Sequence, residues 1–231
     1  MPMTMMMIPT INPTFRPASR WLMKLGGSLF DHPRLGAGLR RWIAHWQAMH
    51  LDSQLLLLPG GGALADVIRA WDRCHRLGEV ASHWLAIGTL RITAEFLATL
   101  LPGVPILGPN STTTDAASSR PPIAIVDVAA WLHADEAHPD HLPHSWAVTS
   151  DAIAVRLARL LAVDHLLLAK SCPVSEANSW ETHAEQGIVD PTFPTQLPHF
   201  SGTVSALNFR AWLDADAATE EQPASAIASH Q

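Results

Sequence analysis

The stretch Trp21-Leu22-Met23-Lys24-Leu25-Gly26-Gly27-Ser28 joins a short apolar run to a lysine and a glycine-rich turn. The apolar run has the length of a buried strand, and the two glycines end it. Glycine lets backbone N–H groups approach a phosphate closely, and Lys24 adds a charged donor. The stretch therefore predicts either a phosphate-binding loop or an ordinary strand that ends in a Gly-Gly turn.

A second glycine-rich turn, Pro59-Gly60-Gly61-Gly62, follows an apolar strand predicted over 54–58 and opens a helix predicted to reach about Cys74. The N-terminus of a helix favours an anion. Gly60, Gly62 and Ala65 also fit the dinucleotide-binding fingerprint. That fingerprint requires an acidic residue at the end of the next strand, whereas Glu79 precedes a helix. The pair of glycine-rich turns therefore favours phosphate binding over a nicotinamide cofactor.

The rest of the chain alternates between short apolar runs and longer amphipathic segments. This alternation predicts helices over 33–50, 80–101 and 151–162, a last helical turn over 209–213, and strands over 104–107, 123–126, 146–148, 165–169 and 203–207. The expected fold is α/β, a three-layer αβα sandwich around a mostly parallel sheet. Ligands bind such sheets beyond the carboxyl ends of the strands.

Composition sets the broad class. We expect one domain over 20–213, between a proline-rich flexible tail (1–19) and an alanine-rich flexible tail (214–231). A net charge of −6 without a basic stripe argues against nucleic acid, and no apolar run reaches the ~20 residues that span a bilayer. Two cysteines far apart, Cys74 and Cys172, indicate a reduced cytoplasmic protein. A small-molecule partner is the favoured class.

Two further elements carry candidate chemistry. Thr149-Ser150-Asp151 lies between a predicted strand and a helix, so it is either a helix cap or a carboxylate that faces a ligand. Lys170 ends the apolar strand predicted over 165–169. It predicts either a ligand contact at the strand end or a solvated edge residue.

In this order, K-x-G-G-S (24–28), G-G-G (60–62), T-S-D (149–151) and Lys170 resemble the amino acid kinase family, over about 22–171. This family includes acetylglutamate, aspartate and uridylate kinases. The resemblance implies a phosphotransferase that uses ATP and Mg²⁺, acts on a small-molecule acceptor, and forms a homo-oligomer, a dimer or higher. Phosphoryl transfer depends mainly on positioning and charge neutralisation.

The resemblance also implies roles for individual residues. Lys24 and Lys170 would stabilise the transferring phosphoryl group, and Asp151 would hold the lysines or bind Mg²⁺ through water. The Mg²⁺ would be carried by ATP rather than by a dedicated set of protein ligands. The residues that would bind phosphate or nucleotide are Gly26, Gly27, Ser28, Ser150 and Ser171. Those that would bind the acceptor are Gly60, Gly61 and Gly62.

Within the family, the chain is most similar to the branch that phosphorylates an aminomethylfuran-methanol phosphate in methanofuran-type cofactor biosynthesis. The stretches that carry this similarity lie at 60–69, 82–87, 142–151 and 187–193. Asp66, Arg69 and His83 then become candidates for binding the amine or the phosphate of the acceptor. The alternative is a solvated helix face with one core histidine.

One segment departs from the family pattern. Many relatives follow the late strand with an Asp-Gly pair, whereas this chain reads Ala169-Lys170-Ser171-Cys172-Pro173-Val174. Two alternatives therefore stay open: a kinase for another acceptor, such as a carboxylate or a nucleoside monophosphate, or a catalytically silent nucleotide-binding or structural subunit.

The stretch 133–144 contains four histidines and three acidic residues. It shows no clear i, i+3 or i, i+4 ligand pair on a helix, and Pro139 and Pro143 interrupt it. The spacing favours a polar loop over a metal site.

Overall fold

A computed structural model describes residues 19–111 and 120–220, with side chains up to residue 217. The strands are β1 (Arg20–Leu25), β2 (Gln54–Pro59), β3 (Ile106–Leu107), β4 (Ile123–Val126), β5 (His165–Lys170) and β6 (Thr203–Asn208). The helices are α1 (Leu35–Met49), α2 (Gly62–His75), α3 (Glu79–Leu100), α4 (Val128–Asp135), α5 (Ser150–Leu160), α6 (Trp180–Glu185), α7 (Phe193–Gln196) and α8 (Phe209–Glu220).

The strands form one six-stranded sheet in the order β3-β4-β2-β1-β5-β6, and every pairing is parallel. The carboxyl ends of all strands therefore share one edge. β1 lies in the middle, with β2 on one side and β5 on the other. The chain order reverses at β1, which is where α/β sheets open a crevice for ligands.

Helices cover both faces of the sheet, so the predicted three-layer fold is confirmed. Alternate residues of β1 point to opposite faces. Trp21, Met23 and Leu25 pack in the apolar cluster that includes α1 and α8. Leu22 packs in the other cluster, with α4, α5 and α7. Lys24, two residues after Leu22, consequently points to the α5 face.

The same alternation applies to β5. Leu166 and Leu168 pack on the α5 face, so Lys170 points to that face as well. Lys24 pairs in register with Leu168, which places Lys170 one side chain further along the same face. The sheet therefore brings both lysines together at its carboxyl edge.

The prediction of a strand over 146–148 is wrong. The backbone N–H of Val148 donates to the Ser145 carbonyl at 3.1 Å in a turn, and the Trp146 indole donates to Asp72 Oδ2 at 2.7 Å. A three-residue apolar run is too short to distinguish a strand from a turn. Here the run forms a turn, and Trp146 contacts Asp72 instead of joining a sheet.

Helix α8 continues past Leu213, where the sequence predicted only a last turn and then a tail. His32 Nε2 lies 3.0 Å from Asp214 Oδ1, and the Arg41 guanidinium pairs with Asp216. These contacts hold the added turns against α1. The predicted tail residues 1–18 and 221–231 lie outside the described residues.

Within the described ranges, no helix combines the length and the hydropathy that crossing a membrane requires.

Candidate active site

A cavity of about 440 Å³ opens at the carboxyl edge of the sheet, between the glycine-rich turns and the start of α5. Most of the residues that the sequence singled out line it: Gly27, Ser28, Gly61, Gly62, Asp66, Arg69, His83, Ser150, Asp151 and Lys170. Residues of five separate segments thus meet in one place, as expected for a parallel sheet with a central crevice.

The other predicted residues lie beside or behind this cavity. The Ser171 hydroxyl lies 2.7 Å from the Ser28 hydroxyl. The backbone N–H groups of Gly26 and Gly60 donate to the carbonyls of Ala169 and Leu25, at 2.9 and 2.8 Å. Those two N–H groups hold the turns to the sheet and are not available to a phosphate.

Lys24, Asp151 and Lys170 form a buried ion cluster at the end of β1 and β5. Lys24 Nζ lies 2.8 Å from Asp151 Oδ1, and Lys170 Nζ donates to both Asp151 oxygens at 2.8 and 2.7 Å. Their side chains are only 5%, 6% and 9% exposed. These are the only two lysines in the sequence, and both converge on one carboxylate.

The cluster is electrostatically coupled. Burial raises the pKa of Asp151, but attraction to the two lysines outweighs burial and holds that pKa below its ordinary value. Burial and then repulsion from Lys24 lower the pKa of Lys170, although Asp151 opposes both. With both lysines protonated, two positive charges face one negative charge. A buried surplus of positive charge stabilises an anion in the adjoining cavity.

The start of α5 adds to this field, because a helix N-terminus attracts negative charge. The sequence suggested Thr149 or Ser150 as the cap of α5. The structure shows a different cap: Asp190, which lies far along the chain. Asp190 Oδ2 accepts from the N–H groups of Thr149 and Ala152 at 3.0 and 2.9 Å. Sequence reasoning missed this role because a cap is normally sought next to its helix.

The two glycine-rich turns pack directly against each other. A Cβ on Gly27 would lie 2.1 Å from the backbone N of Gly62, and one on Gly62 would lie 2.8 Å from the carbonyl of Gly27. Gly62 also has a φ of +56°, which favours glycine. The contact between the turns therefore requires glycine at both positions, independently of any phosphate.

The wall of the cavity on the α2 side carries charged and aromatic groups. Arg69 Nη1 donates to Asp66 Oδ1 at 2.6 Å, and the guanidinium lies 4.7 Å from the centre of the Trp146 ring. Stacking on an aromatic ring orients a guanidinium while leaving donors free. Trp146 was missed as a site residue because its short apolar run suggested a strand.

His83 lines the cavity and is buried. Burial, and then repulsion from His144, lowers the pKa of His83 to about 4. The imidazole is therefore neutral at pH 7. It can offer a hydrogen bond to a ligand but not a positive charge.

Comparison with known proteins shows which family the chain resembles. A profile of the amino acid kinase family matches residues 19–178. The [5-(aminomethyl)furan-3-yl]methyl phosphate kinase of Methanocaldococcus jannaschii is 26% identical over 205 residues, which cover 82% of this chain and 88% of that protein.

Two solved structures share the fold. The uridylate kinase of Archaeoglobus fulgidus has a TM-score of 0.53 at 15% identity and covers 84% of this chain and 95% of its own. The UMP kinase of Ureaplasma parvum has a TM-score of 0.55 at 10% identity and covers 90% and 97%. At such identities the likeness concerns the fold.

The profile spans well over half of the sequence. The chain belongs to the amino acid kinase family.

Proposed function

We propose that the protein transfers the γ-phosphoryl group of ATP to the phosphate of an aminomethylfuran-methanol phosphate. A phosphate oxygen of the acceptor attacks the γ-phosphorus, the bond between that phosphorus and the β,γ-bridging oxygen breaks, and ADP leaves. The product is a diphosphate. The observation that carries the proposal is the ion cluster, in which two buried ammonium groups share a single carboxylate beside the cavity.

In this proposal the lysines neutralise the charge that spreads over the phosphoryl oxygens during transfer. Lys170 lines the cavity, whereas Lys24 contacts Asp151 from β1. Asp151 keeps both ammonium groups at hydrogen-bond distance and limits their mutual repulsion. Positioning of this kind leaves little reorganisation to be done when the transition state forms.

The residues present also fit ATP with Mg²⁺. Phosphate groups complement the surplus positive charge and the N-terminus of α5, and the hydroxyls of Ser28 and Ser150 offer further donors at the cavity. Both Asp151 oxygens already accept from lysine. Mg²⁺ would therefore be held mainly by the phosphates, with Asp151 reaching it through water, and would neutralise developing charge there.

Asp66 and Arg69 support an acceptor that carries both an amine and a phosphate. Asp66 is 70% exposed and can pair with an ammonium group, and Arg69 can bind a phosphate. The similarity to the Methanocaldococcus jannaschii kinase supports the aminomethylfuran phosphate as that acceptor. The amine and the phosphate of this acceptor complement the carboxylate of Asp66 and the guanidinium of Arg69.

A phosphoryl-transfer assay tests the proposal. The enzyme is incubated with ATP and Mg²⁺ and with one of three acceptors: the aminomethylfuran phosphate, UMP or N-acetylglutamate. ADP release and the phosphorylated product are both measured. Turnover with the furan phosphate at least tenfold above the other two supports the proposal, and preferential turnover of either competitor overturns the choice of acceptor.

The segment after Lys170 favours one rival, a catalytically silent subunit, because it lacks the Asp-Gly pair of many relatives. Isothermal titration calorimetry with ATP and Mg²⁺ separates the two functions. Saturable binding below millimolar nucleotide supports the kinase. An absence of heat at millimolar nucleotide, in a protein that melts cooperatively, supports the silent subunit.

We also propose a homo-oligomer in the cytoplasm. Helices α2 and α3 expose apolar side chains at helical spacing: Leu64, Val67, Trp71, Leu85, Ile92 and Phe96. A helix that is apolar on most sides usually has a partner on each side. A second copy of the chain would cover this surface. Light scattering coupled to size-exclusion chromatography should give at least twice the 25.1 kDa of one chain; a monomer at micromolar protein contradicts this.

A further inference from the structure

The loop that follows α4 gathers three potential metal ligands beside the cavity. Glu136, His141 and His144 each offer one ligand atom, and these atoms all lie within 4.8 Å of one another. His144 Nε2 is 2.9 Å from Glu136 Oε1. The sequence favoured a polar loop here because Pro139 and Pro143 interrupt the stretch and no ligand pair lies on a clear helix. The chain instead folds back on itself after Pro139, which brings the two histidines to the end of α4.

The distances suit a small tetrahedral ion. Zinc–nitrogen and zinc–oxygen bonds of about 2.0–2.1 Å place neighbouring ligand atoms about 3.4 Å apart. The ligand atoms of Glu136, His141 and His144 are separated by distances from 2.9 Å to at most 4.8 Å, which bracket this spacing. The backbone therefore need not move. Small side-chain rotations, in groups that are 18% to 36% exposed, are sufficient to close the site.

The surroundings restrict the orientation of the histidines. His141 Nδ1 lies 2.9 Å from the Leu142 carbonyl and 3.7 Å from Glu136 Oε1. Since Nδ1 is the nitrogen beside Glu136, an ion bound there would replace a proton that this nitrogen shares with the carbonyl. The ring of His144 stacks on His83 at 4.9 Å and on His141 at 5.4 Å, so its orientation is also restricted.

The donor set selects the class of ion. Two imidazoles and one carboxylate suit Zn²⁺ and the neighbouring divalent transition metals, whereas Mg²⁺ and Ca²⁺ prefer oxygen ligands alone. Three protein ligands leave one coordination position for water or another small ligand.

The cluster adjoins the cavity. His144 stacks on His83, which lines the cavity. The two residues that follow His144, Ser145 and Trp146, line the cavity as well. An ion on Glu136, His141 and His144 would tie this part of the wall to the end of α4. We propose that the protein binds one divalent transition-metal ion of the zinc class here, and that the ion stiffens the wall that carries Trp146. This site is independent of the ATP-bound Mg²⁺.

Calorimetry with Zn²⁺ on the untagged, chelator-treated protein tests the site. We expect one ion per chain, loss of that binding by at least tenfold in His141→Ala and in His144→Ala, and unchanged binding in His138→Ala. His138 is the matched control, since it belongs to the same loop but pairs with Asp135. No saturable binding, or equal affinity in His144→Ala and the wild type, overturns the proposal.

Two readouts guard against a folding artefact. Zn²⁺ at a hundredfold excess over its Kd should raise the melting temperature of the wild type and His138→Ala by about 5–10 °C and leave His141→Ala unchanged. Co²⁺ should give the strong visible absorption of a tetrahedral site, and millimolar Mg²⁺ should not displace it. A weak octahedral cobalt spectrum, or an equal melting shift in His141→Ala, contradicts the site. His141 is 35% exposed, so its truncation leaves the core intact.

Discussion

Helix α5 contributes to two ion clusters, and they differ in charge balance. At its start, Asp151 is surrounded by Lys24 and Lys170. Further along, Arg156 is surrounded by Asp135 and Asp140: it donates to both Asp135 oxygens at 2.8 and 2.6 Å, and to Asp140 at 2.7 Å. Arg159 Nη2 also lies 3.2 Å from Asp140 Oδ2, so the second cluster pairs two guanidinium groups with two carboxylates, whereas the first has an excess of cations.

The difference lies in whether the charges balance. Each carboxylate of the Arg156 cluster has a guanidinium partner, and Asp140 is 58% exposed to water. The lysine cluster has one carboxylate for two ammonium groups, and its excess positive charge faces a cavity. A charge-balanced cluster stabilises the fold, whereas a buried cluster with unmet charge prepares a place for an anion. Variants of the two clusters should therefore separate stability from turnover.

The largest expected effect is on stability. Arg156→Met should lower the free energy of unfolding by about 3–5 kcal/mol, because it removes both guanidinium hydrogen bonds of the buried Asp135 carboxylate and leaves only the exposed His138 beside it. Turnover per folded molecule should stay within about twofold. Chemical denaturation and active-site titration measure the two quantities. A stable Arg156→Met protein with low turnover would reverse the roles of the clusters.

Lys24→Met should do the opposite. It keeps most of the side-chain volume and leaves Asp151 paired with Lys170, so the melting temperature should change little. Turnover should fall by about 10²–10³-fold, as for the loss of one preorganised donor. The control is Arg91→Met, which removes a charge from the exposed surface of α3. Normal turnover in Lys24→Met would exclude Lys24 from the transfer step.

Asp190→Asn should give a smaller, mixed effect. Asp190 caps α5 with a buried carboxylate, and the change to an amide keeps its size while removing the charge at the helix N-terminus. The expected loss is about 1 kcal/mol of stability. Since the cap holds the first turn of α5, which contains Asp151, turnover should fall by about threefold. A loss of stability without any change in turnover would mean that the cap has no part in positioning the site.

The smallest effect is a pH dependence that only the lysine cluster should show. The pKa of Lys170 is lowered by burial, so turnover should decline with rising pH before an ordinary lysine would lose its proton. In that same window the unfolded chain binds more protons than the folded one, so stability should rise with pH. Parallel pH profiles of turnover and of urea unfolding test this. A turnover decline only near pH 10.5, the ordinary lysine value, would contradict it.

The sequence predicted what local patterns encode. The apolar runs of β1, β2 and β5 and the glycine-rich turns after β1 and β2 are continuous in sequence, and the parallel sheet then brings their ends together. Lys24 and Lys170 could be placed at the ligand edge because each ends such a run.

Contacts between distant segments escaped prediction. Asp190 caps a helix that starts about forty residues earlier, and nothing in its own neighbourhood indicates this. One partner of Arg156, Asp140, lies in a loop whose path the sequence does not determine. The convergence of Glu136 with His141 and His144 has the same cause, since proline-containing loops have no fixed periodicity from which to read spacing.

The presence of only two lysines in the sequence, both at the site, has a spectroscopic consequence. Protein labelled with nitrogen-15 at the lysine Nζ atoms alone would give only two side-chain ammonium resonances in an NMR spectrum. Each would come from an ammonium group that contacts Asp151. Titration with nucleotide, or with acceptor, would then show directly which of the two groups each ligand approaches, without assignment of the remaining 229 residues.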